Sequence, residues 1–487
     1  MSWESLQPLT AHLVAARTRD PAAAVVADRV VAAMYGTEST PTVTLWRWVP
    51  AVFDLRGVPR ADLDRLPNAR LMDGAVVLRN TAAPLATSVW IDAGQPFLRR
   101  GQHFDAGSFL IRAGGYLVVE GGDDIEFEAR HSKGGEQHLG DRGETFDFGQ
   151  YATASIAHNC LLFWDAARVP HWYGRRFAPS GGQTPIEGTC TDFAAPLDAQ
   201  SRQTARLLAY GNRDQAAYVA LDLAPAYDPR TVEQYTREFV FLWGRVLLVV
   251  DRATTANIRA VPTSIVNIPA RPTADGADLT PEARVAGSEN DAGVWRCDRA
   301  RRLRWTDRNG GIWFHSLLPA DRSLAVVGGP ARKLVIAEGP LAGRTYVGGD
   351  ARSFERLILP ANRSKTANAW YRLGRPTLLG PQFAVRPHWG RVEIEPNRHD
   401  GRYLFINALV IDEATAKNAP DITADAGPDG VRISIDLSDA RAVLTLPATH
   451  AIGGAMRADK PTTFEWTLPE EVAVDPPLPI RGETPGK

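Results

Sequence analysis

Two imidazoles and a carboxylate stand next to apolar runs within a short stretch of this chain. In Gly101-Gln102-His103-Phe104-Asp105-Ala106-Gly107-Ser108-Phe109, a histidine leads into the run Leu110-Ile111. The return run Tyr116-Leu117-Val118-Val119 ends in Glu120, and Ala157-His158-Asn159-Cys160 leads into Leu161-Leu162. Imidazole nitrogen and carboxylate oxygen are ordinary zinc donors, and three of them leave a fourth position for water. His103, Glu120 and His158 are therefore candidate ligands of one zinc ion. Two histidines hydrogen-bonded at the ends of a buried strand fit the same spacing, and both readings stand at this point.

The elements that must position these groups read as strands. From Ala75 onward the chain is a series of β-branched and aromatic runs separated by Gly, Pro, Asp and Asn. Ser88 to Ile91, Phe109 to Ile111, Tyr116 to Val119, Asn159 to Trp164, Ala217 to Leu223, Phe239 to Val250, Ile312 to Leu318 and Tyr403 to Ile411 are the clearest. Gly114-Gly115 and Gly244-Arg245 mark hairpin turns. The pattern predicts a mainly β fold, a large antiparallel two-sheet β-sandwich over residues 61–415. Further strands from Gly430 to Leu437, Ala442 to Leu446 and Thr463 to Leu468 predict a C-terminal β-subdomain over 416–475, before a Pro/Gly-rich, disordered tail over 476–487. Residues 1–60 read as a short helical appendage: Leu6, Leu9, Leu13 and Val14 share a face, and Asp20-Pro21 opens an Ala/Val-rich helix stopped by Gly36.

Composition excludes several functions. A chain of 487 residues with 44% hydrophobic content can bury a substantial core, and a formal charge of −1 gives no global attraction to nucleic acid or to an anionic membrane. Arg99-Arg100, Arg175-Arg176 and Arg299 to Arg304 supply only local positive charge. Cys160, Cys190 and Cys297 cannot all pair within the chain and show no CxxC spacing, so neither a disulfide framework nor a cysteine metal site is expected. No basic and apolar leader is visible after Met1, and no stretch of 18 apolar residues occurs.

The segment HFDAGSF, the acid closing the next apolar run and the later AHN together resemble the heparinase II/III-like polysaccharide lyases. Gly181-Gly182-Gln183, Arg237-Glu238-Phe239 before Val249-Val250-Asp251-Arg252, and Trp389-Gly390-Arg391-Val392-Glu393 extend the resemblance from about Leu66 to about Asp412. It implies a zinc held by His103, Glu120 and His158, with Glu120 where the family more often has Asp. It also implies a uronic-acid-containing polysaccharide as partner, β-elimination as the chemistry, and a periplasmic or secreted location. Two departures stand out. A catalytic histidine two residues before the zinc histidine is replaced by Gly101, which has no group to carry a proton. The strand pattern starts too early for the family's α/α toroid, so the chain resembles the C-terminal portion of such an enzyme. A toroid on a separate chain, or a homo-oligomer, is the corresponding partner expectation.

Around the metal motif, Arg100, Gln102, Asn159 and Arg175 are the candidate contacts to an anionic sugar. His131 and His138, in the charged glycine-rich loop from Asp123 to Gln150, are candidate replacements for the histidine absent at Gly101. Tyr151 and Tyr173 are candidate proton-transfer groups. Three functions follow: a lyase unit, a non-catalytic zinc-stabilised carbohydrate-binding or structural sandwich, and a zinc hydrolase using metal-bound water. No carboxylate is clearly placed as the base that the third requires.

Overall fold

The computed structural model describes residues 69–72, 74–81, 85–94, 103–120, 155–165, 171–172, 175–176, 181–183, 204–213, 215–279, 283–284, 293–328, 389–460 and 463–468, with helical positions 16, 17 and 24. The chain divides into two compact units, Met1–Pro67 with Ser364–Arg386, and Asn68–Arg363 with Pro387–Lys487. The remainder of the expected N-terminal helices and the C-terminal tail lie outside the described residues. Among the described residues no helix is long and apolar enough to cross a membrane.

The second unit is built of antiparallel sheets. A five-stranded meander holds β1 (Ala69–Met72), β2 (Ala75–Asn80), β3 (Thr87–Asp92), β4 (Phe109–Ala113) and β5 (Tyr116–Val118) in sequence order. A six-stranded sheet holds β6 (Leu161–Trp164), β13 (Val261–Ile268), β16 (Ala283–Arg284), β17 (Gly293–Arg296), β20 (Arg322–Gly328) and β21 (Gly390–Pro396), with β13 between β6 and β21. Strands β7 (His171–Trp172) and β8 (Arg175–Arg176) pair by themselves.

The largest sheet has nine strands in the order β15-β14-β18-β19-β22-β12-β11-β10-β9. These are β9 (Arg206–Arg213), β10 (Ala216–Asp222), β11 (Val232–Leu242), β12 (Val246–Thr255), β14 (Thr273–Ala274), β15 (Ala277–Asp278), β18 (Leu303–Asp307), β19 (Gly310–Leu318) and β22 (Arg402–Glu413). The predicted hairpin at Gly244 is present, with Trp243 and Gly244 both at positive φ (51° and 67°), the backbone that a tight two-strand turn demands. A final meander holds β23 (Asp421–Gly427), β24 (Gly430–Asp436), β25 (Arg441–Leu446), β26 (Gly454–Lys460) and β27 (Phe464–Leu468).

The expected antiparallel sandwich is thus present, and the C-terminal strands pack on its nine-stranded sheet as a third layer. Side chains of a strand alternate between faces. Val219, Leu221, Phe239, Phe241, Leu247, Val249 and Phe405 point into a core shared with the five- and six-stranded sheets. Their neighbours Tyr218, Ala220, Val240, Leu242, Leu248, Val250 and Ile406 point the other way, into a second core closed by Ile433, Ile435, Leu444, Leu446, Met456 and Trp466 of the C-terminal meander. Burial on both faces explains why Phe239 to Leu242 of β11, Val246 to Val250 of β12 and most of β22 read as apolar runs instead of alternating ones.

Two buried ion pairs interrupt those runs, one on each face. Arg237 and Asp251 are cross-strand partners on the inner face, whereas Glu238 and Arg252, one residue along, meet on the outer face. Glu238 also accepts hydrogen bonds from the Tyr218 hydroxyl (2.6 Å) and the Gly453 amide (2.6 Å), and Arg252 donates to the Pro447 carbonyl (3.2 Å). This outer pair therefore pins the C-terminal meander to the central sheet. Removing one member of a buried pair strands the other charge, at a cost of about 3–5 kcal/mol. Glu238→Ala is expected to lose that much stability in chemical denaturation, and a loss below about 1 kcal/mol would show that the pair does not hold the layers together.

Candidate metal centre

Three segments of the second unit meet at the ends of their strands. The first is the loop His103 to Ser108, which follows β3 in space and feeds β4. Gly107 adopts φ +79°, its amide donates to the Asp92 carbonyl (2.8 Å), and the Ser108 amide turns back to the Asp105 carbonyl (2.7 Å). Phe104 is buried while His103 and Asp105 on either side are half-buried, so the loop anchors one apolar ring and presents two donors. Gln183 of the Gly-Gly-Gln segment reads both backbone groups of Ala106: its Oε1 accepts from the Ala106 amide (3.0 Å) and its Nε2 donates to the carbonyl (2.7 Å).

The second segment is Val119-Glu120 at the end of β5, where the Val119 amide donates to the Asn267 carbonyl (3.2 Å). The third is the single 3-10 turn Ser155–Ala157, which closes with the His158 amide on the Ser155 carbonyl (3.0 Å). His158 and Asn159 therefore lie in a turn ahead of β6 instead of opening the strand. The Ser155 hydroxyl donates to the Phe104 carbonyl (2.6 Å) and accepts from the Gln183 amide (2.9 Å), locking the third segment onto the first.

His103, Asp105 and His158 each offer a donor atom, and these atoms lie within 4.8 Å of one another. The two imidazole rings are 5.0 Å apart between centroids, tilted by 42°. Glu120 approaches from the side, its Oε1 4.0 Å from Nδ1 of His158. Asp92, at the end of β3, shares a hydrogen bond with Asp105 and fixes its own Oδ1 with the Gly94 amide (2.7 Å). The sequence reading passed over Asp92 and Asp105. Asp105 carried a signal, since it lies two residues from His103; Asp92 is an ordinary polar strand end in sequence and enters only through the pairing of β3 with β4.

The electrostatics of the corner are those of a place that wants a cation. Burial, then the neighbouring Asp105, pushes the Asp92 carboxyl up to about 8. Burial raises Asp105 to about 6, with Glu120 adding to the rise and His103 opposing it. Carboxylates packed together away from water suppress one another's ionisation, and a divalent ion reverses that by supplying the missing positive charge. Two imidazoles and a carboxylate also form a donor set suited to zinc. Ligand bonds of about 2.0–2.2 Å in a tetrahedral set place two donors about 3.3–3.6 Å apart, so donors spread over as much as 4.8 Å would have to close by about 1.2–1.5 Å through side-chain rotation.

Asn159 is a tie, not a sugar contact. It is fully buried, its Nδ2 donates to the carbonyls of Phe109 (2.6 Å) and Val119 (3.0 Å), and its Oδ1 accepts from the Asn267 amide (2.6 Å). With every polar atom committed to the backbone it cannot also reach a ligand, which corrects the sequence expectation. Arg237 completes the knot: bound to Asp251 at 2.6 and 3.0 Å, it donates its Nη1 to the carbonyls of Gly107 (2.7 Å) and Asn159 (2.6 Å). Cys160 is buried, its thiol pushed well above the usual range by burial, in keeping with a packing role. Arg100, Gln102, His131, His138, Tyr151 and Tyr173 lie outside the described residues, and Arg175 is described only as part of β8.

No protein-family model and no curated protein matches this chain. Among solved structures it is similar to the heparan sulfate lyase HepC from Pedobacter heparinus, at TM-score 0.43 and 11% identity over 87% of this chain and 48% of that one. A mutant of that enzyme gives TM-score 0.43 and 12% identity, with coverage of 83% and 46%. Heparinase III gives TM-score 0.39 and 11% identity, with coverage of 83% and 43%. The chain spans less than half the length of these structures. Function is therefore read from the site's own residues.

The knot around Asn159 predicts a measurable cost. Asn159→Ala would leave the Phe109 and Val119 carbonyls and the Asn267 amide without their buried partner, at about 1–3 kcal/mol for each stranded group. Chemical denaturation is expected to show a loss of several kcal/mol. A change within about 0.5 kcal/mol, the range of an ordinary surface substitution, would remove Asn159 from its place as the tie.

Proposed function

We propose that this chain is a polysaccharide-lyase-type β-sandwich that engages a uronic-acid-containing polysaccharide, with a zinc ion knitting the corner at His103 and His158. The convergence of His103, Asp105 and His158 carries this reading, because it joins the HFDAGSF and AHN segments on which the resemblance rests. The ion would supply positive charge to a cluster of half-buried carboxylates and tie loops from separate strands. Asp105 or Glu120 provides the oxygen donor beside the two imidazoles.

β-Elimination from a uronic acid needs a base for the C5 proton, a group to neutralise the sugar carboxylate and an acid for the leaving oxygen. The described part of the site supplies none of these as a free proton carrier. Gly101 has no side chain. The buried tyrosines nearby are committed elsewhere: the Tyr227 hydroxyl donates to the Leu161 carbonyl (2.7 Å) and the Tyr235 hydroxyl to Asp251 (2.9 Å), and burial pushes both well above the usual phenol range. These observations favour, as a second reading, a sandwich that binds polysaccharide and does not cleave it.

Two measurements test these readings. The purified chain should carry one zinc, and chelation or His103→Ala should lower its melting temperature by several degrees through loss of the ion. A metal-free chain with unchanged melting on adding zinc would rule the ion out. The second is ultraviolet absorbance of the unsaturated uronyl product on heparin, heparosan, hyaluronan, chondroitin sulfate, alginate and ulvan, together with salt-dependent binding to the same polymers. Binding with little product is expected of this chain on its own. Robust product formation would instead direct attention to His131, His138, Tyr151 and Tyr173, and absence of both binding and product would remove the polysaccharide assignment.

A further inference from the structure

The outer face of the five-stranded meander carries side chains that the metal corner does not use. Alternation along its strands sends Val76, Leu78, Val89, Ile91, Phe109 and Ile111 into the core and turns their neighbours outward. On that outer face Trp90 is 47% exposed, the one aromatic among the exposed large hydrophobic residues described. We infer that this face, with Trp90 at its centre and Arg112 and Arg308 beside it, is a binding platform for an acidic sugar chain. The inference rests on the polysaccharide reading above and not on the zinc.

Register fixes the layout. Trp90 stands between Val77 on β2 and Leu110 on β4, both half-buried, so its row is apolar. The next row runs Arg79, Ser88, Arg112 and Tyr116 across β2, β3, β4 and β5. Diagonal neighbours in a sheet are about 7–8 Å apart, within reach of long side chains, which brings Arg112 to Trp90. The Arg112 guanidinium lies 5.5 Å from the Tyr116 ring centroid, and that of Arg308 lies 6.0 Å from the same ring. Arg308 sits at the β18–β19 turn with φ 53°. That turn is fastened to the β4–β5 turn, because the Tyr116 amide donates to the Asp307 carboxylate (2.8 Å) and the Asn309 amide to the Gly114 carbonyl (3.3 Å). A residue of the nine-stranded sheet is thereby held at the rim of this face.

A scattered exposed apolar residue needs no explanation, but one set in an apolar row and rimmed by arginines does. The C–H face of a sugar ring stacks on an aromatic face, drawn by its negative quadrupole, while guanidinium forks grip carboxylate or sulfate. Arg112 and Arg308 are exposed, and neither forms an ion pair among the described residues. The two nearby acids are engaged elsewhere, Asp307 by the Tyr116 amide and Asp92 by Asp105 and the Gly94 amide (2.7 Å). Positive charge therefore remains on the face. Asp92 lies two residues along β3 from Trp90, so the platform runs about 7 Å onward to the corner of His103 and His158.

The test titrates the full chain calorimetrically with heparosan oligosaccharides, which carry carboxylates alone, and heparin oligosaccharides, which add sulfates, with neutral dextran oligosaccharides as control. Trp90→Ala should weaken binding about 10-fold or more, while Trp90→Phe keeps a ring and should retain most of it. Arg112→Gln combined with Arg308→Gln should weaken binding and flatten its dependence on salt. Ile258→Ala, an exposed change elsewhere, should leave affinity unaltered. Circular dichroism and melting check that each variant folds, and the arginine pair carries the test if Trp90→Ala does not. Binding of heparin without heparosan would support the platform with sulfate as the anion gripped. Affinity kept within about 2-fold by both Trp90→Ala and the arginine pair would overturn the platform and leave the polysaccharide reading standing. Equal binding of dextran would overturn the acidic-sugar assignment. A wild-type chain that binds neither acidic polymer would overturn both the platform and the reading on which it rests.

Discussion

The structure turns on one guanidinium. Arg237 lies on β11, third from one edge of a nine-stranded sheet, almost wholly buried, and meets Asp251 on the neighbouring strand through two hydrogen bonds. A buried pair of this kind gains little over an apolar replacement in itself. Its value here is in what the spare nitrogen does, since Nη1 reaches out of the sheet to the carbonyls of Gly107 and Asn159. Those two residues belong to the loops that carry Asp105 and His158. Arg237 makes four hydrogen bonds, two of them bidentate to the carboxylate, and the three N–H donors of a lysine ammonium cannot reproduce that fork.

The same logic extends outward in both directions. Asn159, held by Arg237 at its carbonyl, uses its side chain to fasten the start of β4, the end of β5 and the end of β13. On the other face, Glu238 and Arg252 repeat the ion pair with the charges exchanged between strands and fasten the C-terminal meander. Two adjacent residues in β11 and two in β12 therefore organise three layers. The period of two in a strand makes this economical: one step along the chain moves a charge to the opposite core.

Much of this was legible in the sequence, for physical reasons that differ by element. Runs such as Phe239 to Leu242 and Val246 to Val250 announce strands because a doubly buried strand has no polar face. The Gly244 hairpin announces itself through the need for positive φ. The metal corner was half legible. His103 and His158 stood out by type, whereas Asp105 and Asp92 required register: Asp92 reaches the site only because β3 lies beside β4. Asn159 was misread because an exposed amide and a buried one look alike in sequence, and only the three backbone groups around it decide between them. The strands of the C-terminal layer were expected, but the surface they cover was not. The residues over 421–468 alternate as a one-sided sheet, and nothing in that alternation says which surface receives the apolar side.

The relation between the knot and the ion follows from these facts. Asp92, Asp105 and Glu120 converge with little positive charge beyond two imidazoles, and burial, then mutual repulsion, holds Asp92 and Asp105 toward their protonated forms. Arg237 cannot relieve it, because its charge is already engaged by Asp251. What Arg237, Asn159 and Gln183 do is hold the main chain of each loop while leaving the side chains of His103, Asp105 and His158 facing one another. The proposed cation would then need side-chain movements and no refolding of loops, and its binding energy would offset burial and repulsion of the carboxylates instead of ordering backbone. In the proposed zinc reading the fold supplies position and the ion would supply charge, so loss of the ion would leave the corner assembled but weaker, in contrast to small zinc domains in which the metal is the core.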